Sequence, residues 1–247
     1  GVEVEEGVLK KECYTLIEDF IWYTKSGKKP FVTLKCAATL DGAIATSKGD
    51  SQWITSNASR RHGHHLRHEA DAILIGSGTL HADDPSLTTR IDGIETKDPA
   101  RVVLDTHLTI KEDAKVLMLE SSAPTIIVTG PNAPADRKAV LKKKGAVILQ
   151  VPLQDQRLDL NELMIKLGQM SVVNLLIEGG GTVAGEALQA GIVNKIMYFI
   201  APKILGGSDG TPVFKGKGPE LIKDVFALKD IGILRFEDDV LIQGYLK

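Results

Sequence analysis

Apolar, β-branched runs alternate with helical segments along most of this chain, and that alternation constrains the fold more than any other feature. Helical periodicity lies at 57–69, 134–143, 159–168 and 182–190. The strand-like runs occupy 31–37, 72–75, 102–104, 125–129, 146–149, 172–177 and 195–201. Continuous apolar strands separated by helices are typical of a largely parallel sheet that is covered on both faces. The sequence therefore predicts an α/β fold in one domain.

The two ends of the chain depart from this pattern. Residues 8–26 carry apolar side chains at helical spacing and predict one amphipathic helix before the first strand. Near the other end, 232–236 and 240–246 are strand-like, but only three acidic residues separate them. No helix fits between these runs, so we expect an antiparallel hairpin at the sheet edge, which makes the sheet mixed.

Composition narrows the class of function. The chain holds 30 Lys and Arg against 32 Asp and Glu, a balance that argues against a nucleic-acid or membrane surface. No apolar run approaches the ~20 residues of a membrane helix, and no signal peptide is visible, so we expect a soluble, cytoplasmic protein. Cys13 and Cys36 lie in apolar sequence outside any CxxC pair, which predicts two reduced core thiols.

A lysine interrupts the first apolar strand. Alternation places Thr33 and Lys35 on one face of that strand, with Leu34 and Cys36 on the other. A lysine in a core strand must reach solvent, pair with an acid or serve a site. Taken alone, a solvent-reaching Lys35 explains the pattern as well as a functional one.

The helix at 57–69 is rich in arginine and histidine and has Thr55 or Ser56 as its expected N-cap. His64 and His68 are four residues apart and share a helix face, which is compatible with metal binding. The segment is not HExxH and no third ligand is evident, so we interpret it as a solvated basic face and expect no metal. One arginine of that face could still meet a phosphate.

Three glycines, Gly179 to Gly181, follow a buried strand and precede a helix. Such a turn exposes amides at a helix N-terminus, where a pyrophosphate can bind. The run is neither GxGxxG nor a Walker P-loop, so neither standard nucleotide motif is indicated. Glu178 lies at the strand's carboxyl end, where open α/β sheets bind ligands. The alternative is a tight turn without a ligand.

Five runs, in this order, resemble the reductase domain of the bacterial bifunctional riboflavin-biosynthesis deaminase/reductase family. They read VTLKxAAxLDGxIA at 32–45, SQWIT at 51–55, AILxGxGT at 72–79, ADDPxLTxR at 82–90 and EGGG at 178–181. The resemblance implies a reductase domain at 30–247, with 1–29 an N-terminal helix and linker that follow a deaminase domain. The chain lacks the H-x-E and P-C-x-x-C zinc motifs of that deaminase half, so we do not expect it to deaminate.

The resemblance also implies an activity and a fold. The fold would be like dihydrofolate reductase, a mixed and mostly parallel sheet flanked by helices, usually in a dimer. NADPH would reduce the ribosyl side chain of 5-amino-6-(5-phosphoribosylamino)uracil to a ribityl chain by giving a hydride to C1′ of the opened sugar. The implied partners are this phosphorylated small molecule, a second copy of the chain, and a deaminase domain or chain.

Site residues follow from the resemblance by position. Lys35 and Glu178 are expected in catalysis, with Lys35 assisting ring opening or proton delivery. Arg67 and Arg90 are expected to clamp the 5′-phosphate. The substrate is expected to contact Ser51, Arg67, Leu87, Arg90 and Glu178. The cofactor is expected to contact Ala37, Trp53, Thr79, Asp83, Thr106, Gly180, Gly181, Thr182, Val183, Ala184 and Gly185.

Two other functions stay open from the sequence. A pterin or folate reductase would share the fold, although two arginines directed at a phosphate favour a phosphorylated substrate. A non-catalytic partner that dimerises and stabilises a deaminase would not need Lys35, Glu178 and the glycine turn together. The residue that would read the 2′-phosphate of NADPH is not identifiable from the sequence.

Overall fold

The computed structural model describes residues 2–247 as thirteen strands, eight α-helices and one short 3-10 turn. The strands are β1 (Phe31–Thr39), β2 (Ala43–Ala45), β3 (Ala72–Gly76), β4 (Ala100–Leu104), β5 (Thr125–Thr129), β6 (Val147–Gln150), β7 (Leu153–Gln154), β8 (Arg157–Leu158), β9 (Asn174–Ile177), β10 (Lys195–Ala201), β11 (Thr211–Pro212), β12 (Leu228–Phe236) and β13 (Asp239–Leu246). The helices are α1 (Lys10–Leu16), α2 (Glu18–Lys25), α3 (Asn57–Glu69), α4 (Ser77–Asp83), α5 (Lys115–Met118), α6 (Ala135–Lys143), α7 (Leu160–Gln169) and α8 (Gly181–Gln189).

Nine strands form one mixed sheet in the order β12-β13-β10-β1-β9-β3-β4-β5-β6. The seven strands from β10 to β6 run parallel to one another. β13 pairs antiparallel with β10, and β12 pairs antiparallel with β13. The predicted α/β architecture, with a mostly parallel sheet and an antiparallel C-terminal hairpin, is confirmed. No helix in the described part of the chain is long and apolar enough to cross a membrane.

Apolar side chains cover both faces of the sheet, as continuous apolar strands predict. On one face, Leu34 and Ile177 join a cluster that includes Leu163 of α7 and Val183 of α8. On the other face, the strands meet α4 and α6 through side chains such as Leu80 and Leu141. Leu66 of α3 packs there against a smaller cluster of Met197, Phe199 and Leu241. The α3 face is the one that carries Lys35, because β1 alternates.

The N-terminal region differs from its prediction. The single helix expected at 8–26 is two helices, with a break at Ile17, and neither helix has a buried residue. Its apolar side chains point largely to solvent, and Cys13 is exposed rather than a core thiol, whereas Cys36 is buried as predicted. Helical periodicity reports spacing alone and does not reveal whether anything covers the apolar face.

Polar contacts attach α2 to the sheet. The carboxylate of Glu18 accepts hydrogen bonds from the ammonium of Lys195, at 2.8 Å, and from the hydroxyl of Tyr245. The Tyr23 hydroxyl donates to the Gly168 carbonyl at 2.9 Å. Lys195 begins β10 and pairs in register with Thr33, near the start of β1. These contacts therefore hold α2 at the amino ends of the parallel strands.

Two glycines let a loop pack directly on α8. A Cβ at Gly181 would lie 2.4 Å from the carbonyl oxygen of Pro212, and a Cβ at Gly185 would overlap the carbonyl oxygen of Lys215. The Lys215 amide donates to the Gly181 carbonyl at 2.8 Å. The loop after β11 is thereby fixed against the first turns of α8, where it forms one wall of a cleft.

We expect Gly185→Ala to lower the free energy of unfolding by about 1–3 kcal/mol, because the new methyl group meets a backbone oxygen that cannot rotate away. Gly63→Ala is the matched control: Gly63 is also a buried helical glycine, but an added Cβ meets nothing within 4 Å. The control should gain about 0.5–1 kcal/mol from helix propensity. Urea denaturation measures both, and equal effects of the two changes would contradict the packing argument.

Candidate active site

The register of three parallel strands brings two distant charged residues together. Leu34 of β1 lies opposite Ile177 of β9, so the next step along each strand places Lys35 beside Glu178. The Glu178 amide continues the ladder by donating to the Leu74 carbonyl of β3 at 3.0 Å. Lys35 and Glu178 share the α3 face, since both follow a residue of the opposite face.

Arg67 of α3 holds the Glu178 carboxylate in a two-point ion pair. Its Nε donates to Oε1 at 2.9 Å and its Nη2 donates to Oε2 at 2.7 Å. The remaining terminal nitrogen, Nη1, donates to the Thr88 carbonyl at 3.2 Å. The side chains are only 18% and 9% exposed, so the pair is largely shielded from water. Glu178 therefore engages the guanidinium that the sequence analysis expected to clamp a phosphate.

Charge keeps Glu178 ionised in spite of its burial. Burial alone would raise its pKa, but the charges of Arg67 and Lys35, with the hydrogen bonds from Arg67, hold the pKa at about 2. Lys35 lies with its ammonium 5.7 Å from the centre of the Phe199 ring and forms no ion pair within residues 2–247. Because Arg67 already neutralises Glu178, Lys35 adds an uncompensated positive charge to this face.

A second positive group lies on the loop that follows α4. Arg90 is exposed and has no carboxylate partner in the described part of the chain. Its amide donates to Nδ1 of His64 on α3 at 3.2 Å. Burial, followed by the charges of Arg67 and Arg90, lowers the pKa of His64. Leu87 of this loop is buried and has a φ of 56°, and the neighbouring Thr88 and Arg90 make the loop's hydrogen bonds to α3.

His64 and His68 both accept hydrogen bonds from backbone amides of the segment that follows α4. The amide of Lys97 donates to Nδ1 of His68 at 3.2 Å, as that of Arg90 does to His64. Ser56 caps α3 by accepting from the Ser59 amide, one of the two N-caps that the sequence offered. No group of three or more potential metal ligands occurs within residues 2–247.

A cleft of about 560 Å³ opens at the carboxyl ends of the same parallel strands. Residues of the turns after β3 and β9 line it, together with Ile44, Ala45, Gly49 and Ser51. It brings together eight residues that the sequence analysis assigned to ligand contacts: Ser51, Thr79, Asp83, Thr106, Gly180, Gly181, Thr182 and Val183. This position is where open α/β sheets bind ligands.

The start of α8 has the donors that a pyrophosphate requires. The first amides of a helix have no partner within it, and no side chain caps α8. The Gly180 amide is already used, since it donates to the Thr79 hydroxyl at 2.9 Å. Gly181, Thr182 and Val183 line the cleft at that helix start. The residues present therefore fit a dinucleotide diphosphate, bound by backbone amides and the positive end of the helix dipole.

Four predicted cofactor residues lie outside the cleft lining. Ala37 packs against Met197 and Phe199 on the α3 face, and Ala184 and Gly185 are buried in α8. Trp53 lines a smaller adjoining cavity of about 150 Å³, which also touches Ser51. The Arg60 guanidinium lies 4.4 Å from the centre of the Trp53 ring, and the ring itself is 62% exposed.

A larger cleft of about 850 Å³ lies between α1, α2, α3 and the amino-end part of the sheet. It has mixed charges, including Lys11, Glu18 and Glu69, and it holds none of the residues that the sequence assigned to a site. We place the cofactor part of the site in the smaller cleft, because the glycine turns and the carboxyl ends of the parallel strands meet there. The predicted catalytic and substrate residues Lys35, Arg67, Leu87, Arg90 and Glu178 lie outside the linings of both clefts.

Three charged residues of the cleft lining were not among the residues that the sequence predicts for the site. Arg157 and Glu186 form an ion pair across the cleft wall, and Lys215 lines the cleft beside α8. Arg157 lies on the short hairpin of β7 and β8, for which no strand pattern was recognised. Apolar Leu153 and Leu158, on either side of the polar Asp155–Gln156 turn, are the local signal for this hairpin.

The sequence matches the family described as the RibD C-terminal domain over residues 30–242. The riboflavin biosynthesis protein RibD of Bacillus amyloliquefaciens is 36% identical over the whole chain, which spans 65% of that protein's length. A 2,5-diamino-6-ribosylamino-4(3H)-pyrimidinone 5′-phosphate reductase of Methanothermobacter thermautotrophicus is 35% identical over 89% of the chain and 99% of its own length.

A solved structure supports the same relationship. The Thermotoga maritima diaminohydroxyphosphoribosylaminopyrimidine deaminase/5-amino-6-(5-phosphoribosylamino)uracil reductase superposes with a TM-score of 0.81 and is 31% identical. The superposition covers all of this chain and 65% of that one. Lys35, Glu178 and the glycine turn all lie within the residues that match, and the chain belongs to the RibD C-terminal domain family.

Proposed function

We propose that this chain is an NADPH-dependent reductase that converts the ribosyl side chain of 5-amino-6-(5-phosphoribosylamino)uracil to its ribityl form. The observation that carries the proposal is the position of Glu178, which is paired with Arg67, lies beside Lys35 and comes two residues before Gly180, where the lining of the cleft begins at the start of α8. The M. thermautotrophicus relative is named for reduction of a related ribosylamino-pyrimidine 5′-phosphate, and it consists of this domain nearly alone.

NADPH, when bound, would supply the hydride that C1′ of the sugar accepts. Opening the ribose breaks the bond between C1′ and the ring oxygen, and that oxygen must then take a proton. The ammonium of Lys35 lies on this face and forms no ion pair with a carboxylate of residues 2–247. We therefore assign the delivery of this proton to Lys35. Its position on a central strand fixes it against the sheet.

Glu178 has a different role in this proposal. A carboxyl group with a pKa of about 2 holds no proton near neutral pH, so it cannot act as the acid. It is an acceptor, and we assign it hydrogen bonds from sugar hydroxyls that leave its two contacts with Arg67 in place. Arg67 acts by keeping this carboxylate charged and oriented. A direct contact of Arg67 with phosphate stays a prediction.

Arg90 is the proposed phosphate ligand. It is exposed, has no carboxylate partner in the described chain, and lies close enough to lower the pKa of His64. A planar guanidinium suits a phosphate dianion because it can donate two hydrogen bonds at once. The positive charge of Lys35 on the same face adds to the attraction for an anion.

The primary test mixes the purified chain with NADPH and 5-amino-6-(5-phosphoribosylamino)uracil and follows the near-ultraviolet absorbance of the reduced nicotinamide. We expect substrate-dependent loss of absorbance and a product two hydrogen masses heavier. Turnover only with the 2,5-diamino-pyrimidinone or with dihydrofolate would correct the substrate. Absence of both turnover and NADPH binding would favour the non-catalytic alternative.

Replacing Lys35 with Met should lower kcat by about 10²–10⁴-fold, the usual contribution of a positioned proton donor, with little change in the Kd of NADPH. Lys35→Arg is the matched control because it retains the charge but gives up a proton far less readily. If proton delivery is the role, Arg does not restore kcat. A near-normal kcat in the Met variant would remove Lys35 from the mechanism, and full recovery with Arg would leave it an electrostatic role only.

For Arg90→Ala we expect a KM for the phosphorylated substrate that is higher by about 10–100-fold, as loss of a charge-assisted contact of ~1.5–3 kcal/mol requires. The KM for the dephosphorylated nucleoside should not change. Arg61→Ala, at an exposed arginine of α3, serves as the control and should leave both constants unaltered. An unchanged KM for the phosphorylated substrate in Arg90→Ala would refute the phosphate contact.

The remaining partner proposals rest on surface features and on the relatives. The edge strand β12 exposes Ile231, Ile233 and Leu234, which favours burial against a second copy of the chain. Sedimentation velocity tests this homodimer, and a monomer at micromolar concentration would exclude it. A deaminase partner is proposed because the chain spans 65% of the length of the B. amyloliquefaciens RibD protein. The cytoplasmic location stays a prediction.

A further inference from the structure

The cleft has a direction that follows from the strand order. Its lining runs from β2, which follows β1 in the chain, across the turns after β9 and β3 to the end of β4. In the main sheet β1, β9, β3 and β4 are neighbours, and strands spaced about 4.8 Å apart make this a span of roughly 14 Å. Ile44, Ala45, Gly49 and Ser51 line the β1 side, whereas Leu104, Thr106 and the β7–β8 hairpin line the β4 side.

The orientation of a dinucleotide in this cleft rests on the proposed function. The reacting nicotinamide must lie near Lys35 on β1 and Glu178 after β9, because the hydride is transferred there. The diphosphate is assigned to the start of α8, which follows β9. The adenosine half must then extend toward the ends of β3 and β4 and the hairpin beyond them.

The hairpin is a fixed part of that end of the cleft. Its two connecting residues, Asp155 and Gln156, both have positive φ, as a tight two-residue hairpin requires. On one strand, Leu153 packs over Gly130 next to Thr106. On the other, Leu158 is buried in the core beneath α7. Arg157 therefore projects from a strand that is anchored on both sides.

Arg157 and Lys215 are the two cations among the residues that line the cleft, and their positions differ. The Lys215 amide is bonded to Gly181, so this lysine lies beside the first turn of α8, where the diphosphate is assigned. Arg157 is paired with Glu186, in the second turn of α8. More than half of the Arg157 side chain is exposed, and one terminal nitrogen makes the ion pair, so other donors remain free.

We propose that Arg157 binds the 2′-phosphate of the adenosine ribose and so determines the preference of this chain for NADPH over NADH. In dinucleotide sites, a carboxylate binds an unmodified 2′-hydroxyl, whereas an arginine accommodates a 2′-phosphate. Here the available carboxylate, Glu186, is occupied by the arginine. The ion pair with Glu186 holds the guanidinium near α8, and the nitrogens that it does not use remain available to a phosphate.

The test measures the Kd of NADPH and of NADH by titration calorimetry, with no substrate present. We expect Arg157→Ala to raise the Kd of NADPH by about 10–100-fold, because NADPH carries the 2′-phosphate. The Kd of NADH, which lacks that phosphate, should change by no more than about twofold. Arg157→Lys should retain part of the preference. Lys215→Ala is the matched control. It should raise the Kd of NADPH and the Kd of NADH by the same factor, because both dinucleotides carry the diphosphate.

Each other outcome has a defined meaning. If wild type prefers NADPH and Arg157→Ala keeps the preference, or if the variant weakens both ligands equally, Arg157 does not read the 2′-phosphate. If wild type binds both dinucleotides equally well, the inference fails while the proposed reductase stands. If wild type binds neither, the proposed function fails together with the inference. Arg157 is an exposed hairpin residue, so its replacement should leave the melting temperature nearly unchanged.

Discussion

A buried carboxylate is the constraint on which the rest of the site depends. Moving Glu178 out of water is costly, and the fold compensates the cost with a guanidinium that donates to both oxygens. That pairing couples the end of β9 to α3, and the third guanidinium contact couples α3 to the Thr88 loop. One ion pair therefore links α3, the loop that carries Arg90 and the charge at the end of β9.

The electrostatic balance of the site follows from the same pair. With Glu178 and Arg67 offsetting each other, Lys35 and Arg90 leave the α3 face positive although the chain as a whole carries a net charge of −2. A local excess of positive charge favours binding of a phosphorylated small molecule, and the overall composition does not reveal it. On the far side of the glycine turn, the start of α8 presents a second positive end without any side-chain charge.

The sequence predicted the elements whose signals are local and repeated. The bounds of α3, β5 and β10 match the predicted segments, because long apolar runs and helical periodicity extend over whole elements. The β7–β8 hairpin has two residues per strand and a turn without Gly or Asn, so it carried no such signal. The sequence also did not predict the break at Ile17, because the apolar periodicity continues across it. No residue of either helix is buried in the described chain.

The sequence predicted which residues belong to the site, but not which of them form ion pairs or contacts with one another. Lys35 and Glu178 stood out because charges interrupt or end apolar strands, and eight assigned residues meet in one cleft. That Arg67 pairs with Glu178 was not predictable, since they are 111 positions apart in the sequence and meet only because α3 packs against β9. The separation of Ala37 from the cleft likewise depends on which face of β1 turns toward α3.

The attachment of α2 through Glu18 has a consequence for longer relatives of this chain. That contact holds the N-terminal helices at the start of β10 and β1, while the cleft opens at the other end of the strands. Nine residues of β1 correspond to roughly 30 Å. A domain joined ahead of α1 would therefore be tethered near the end of the strands that lies opposite the cleft mouth.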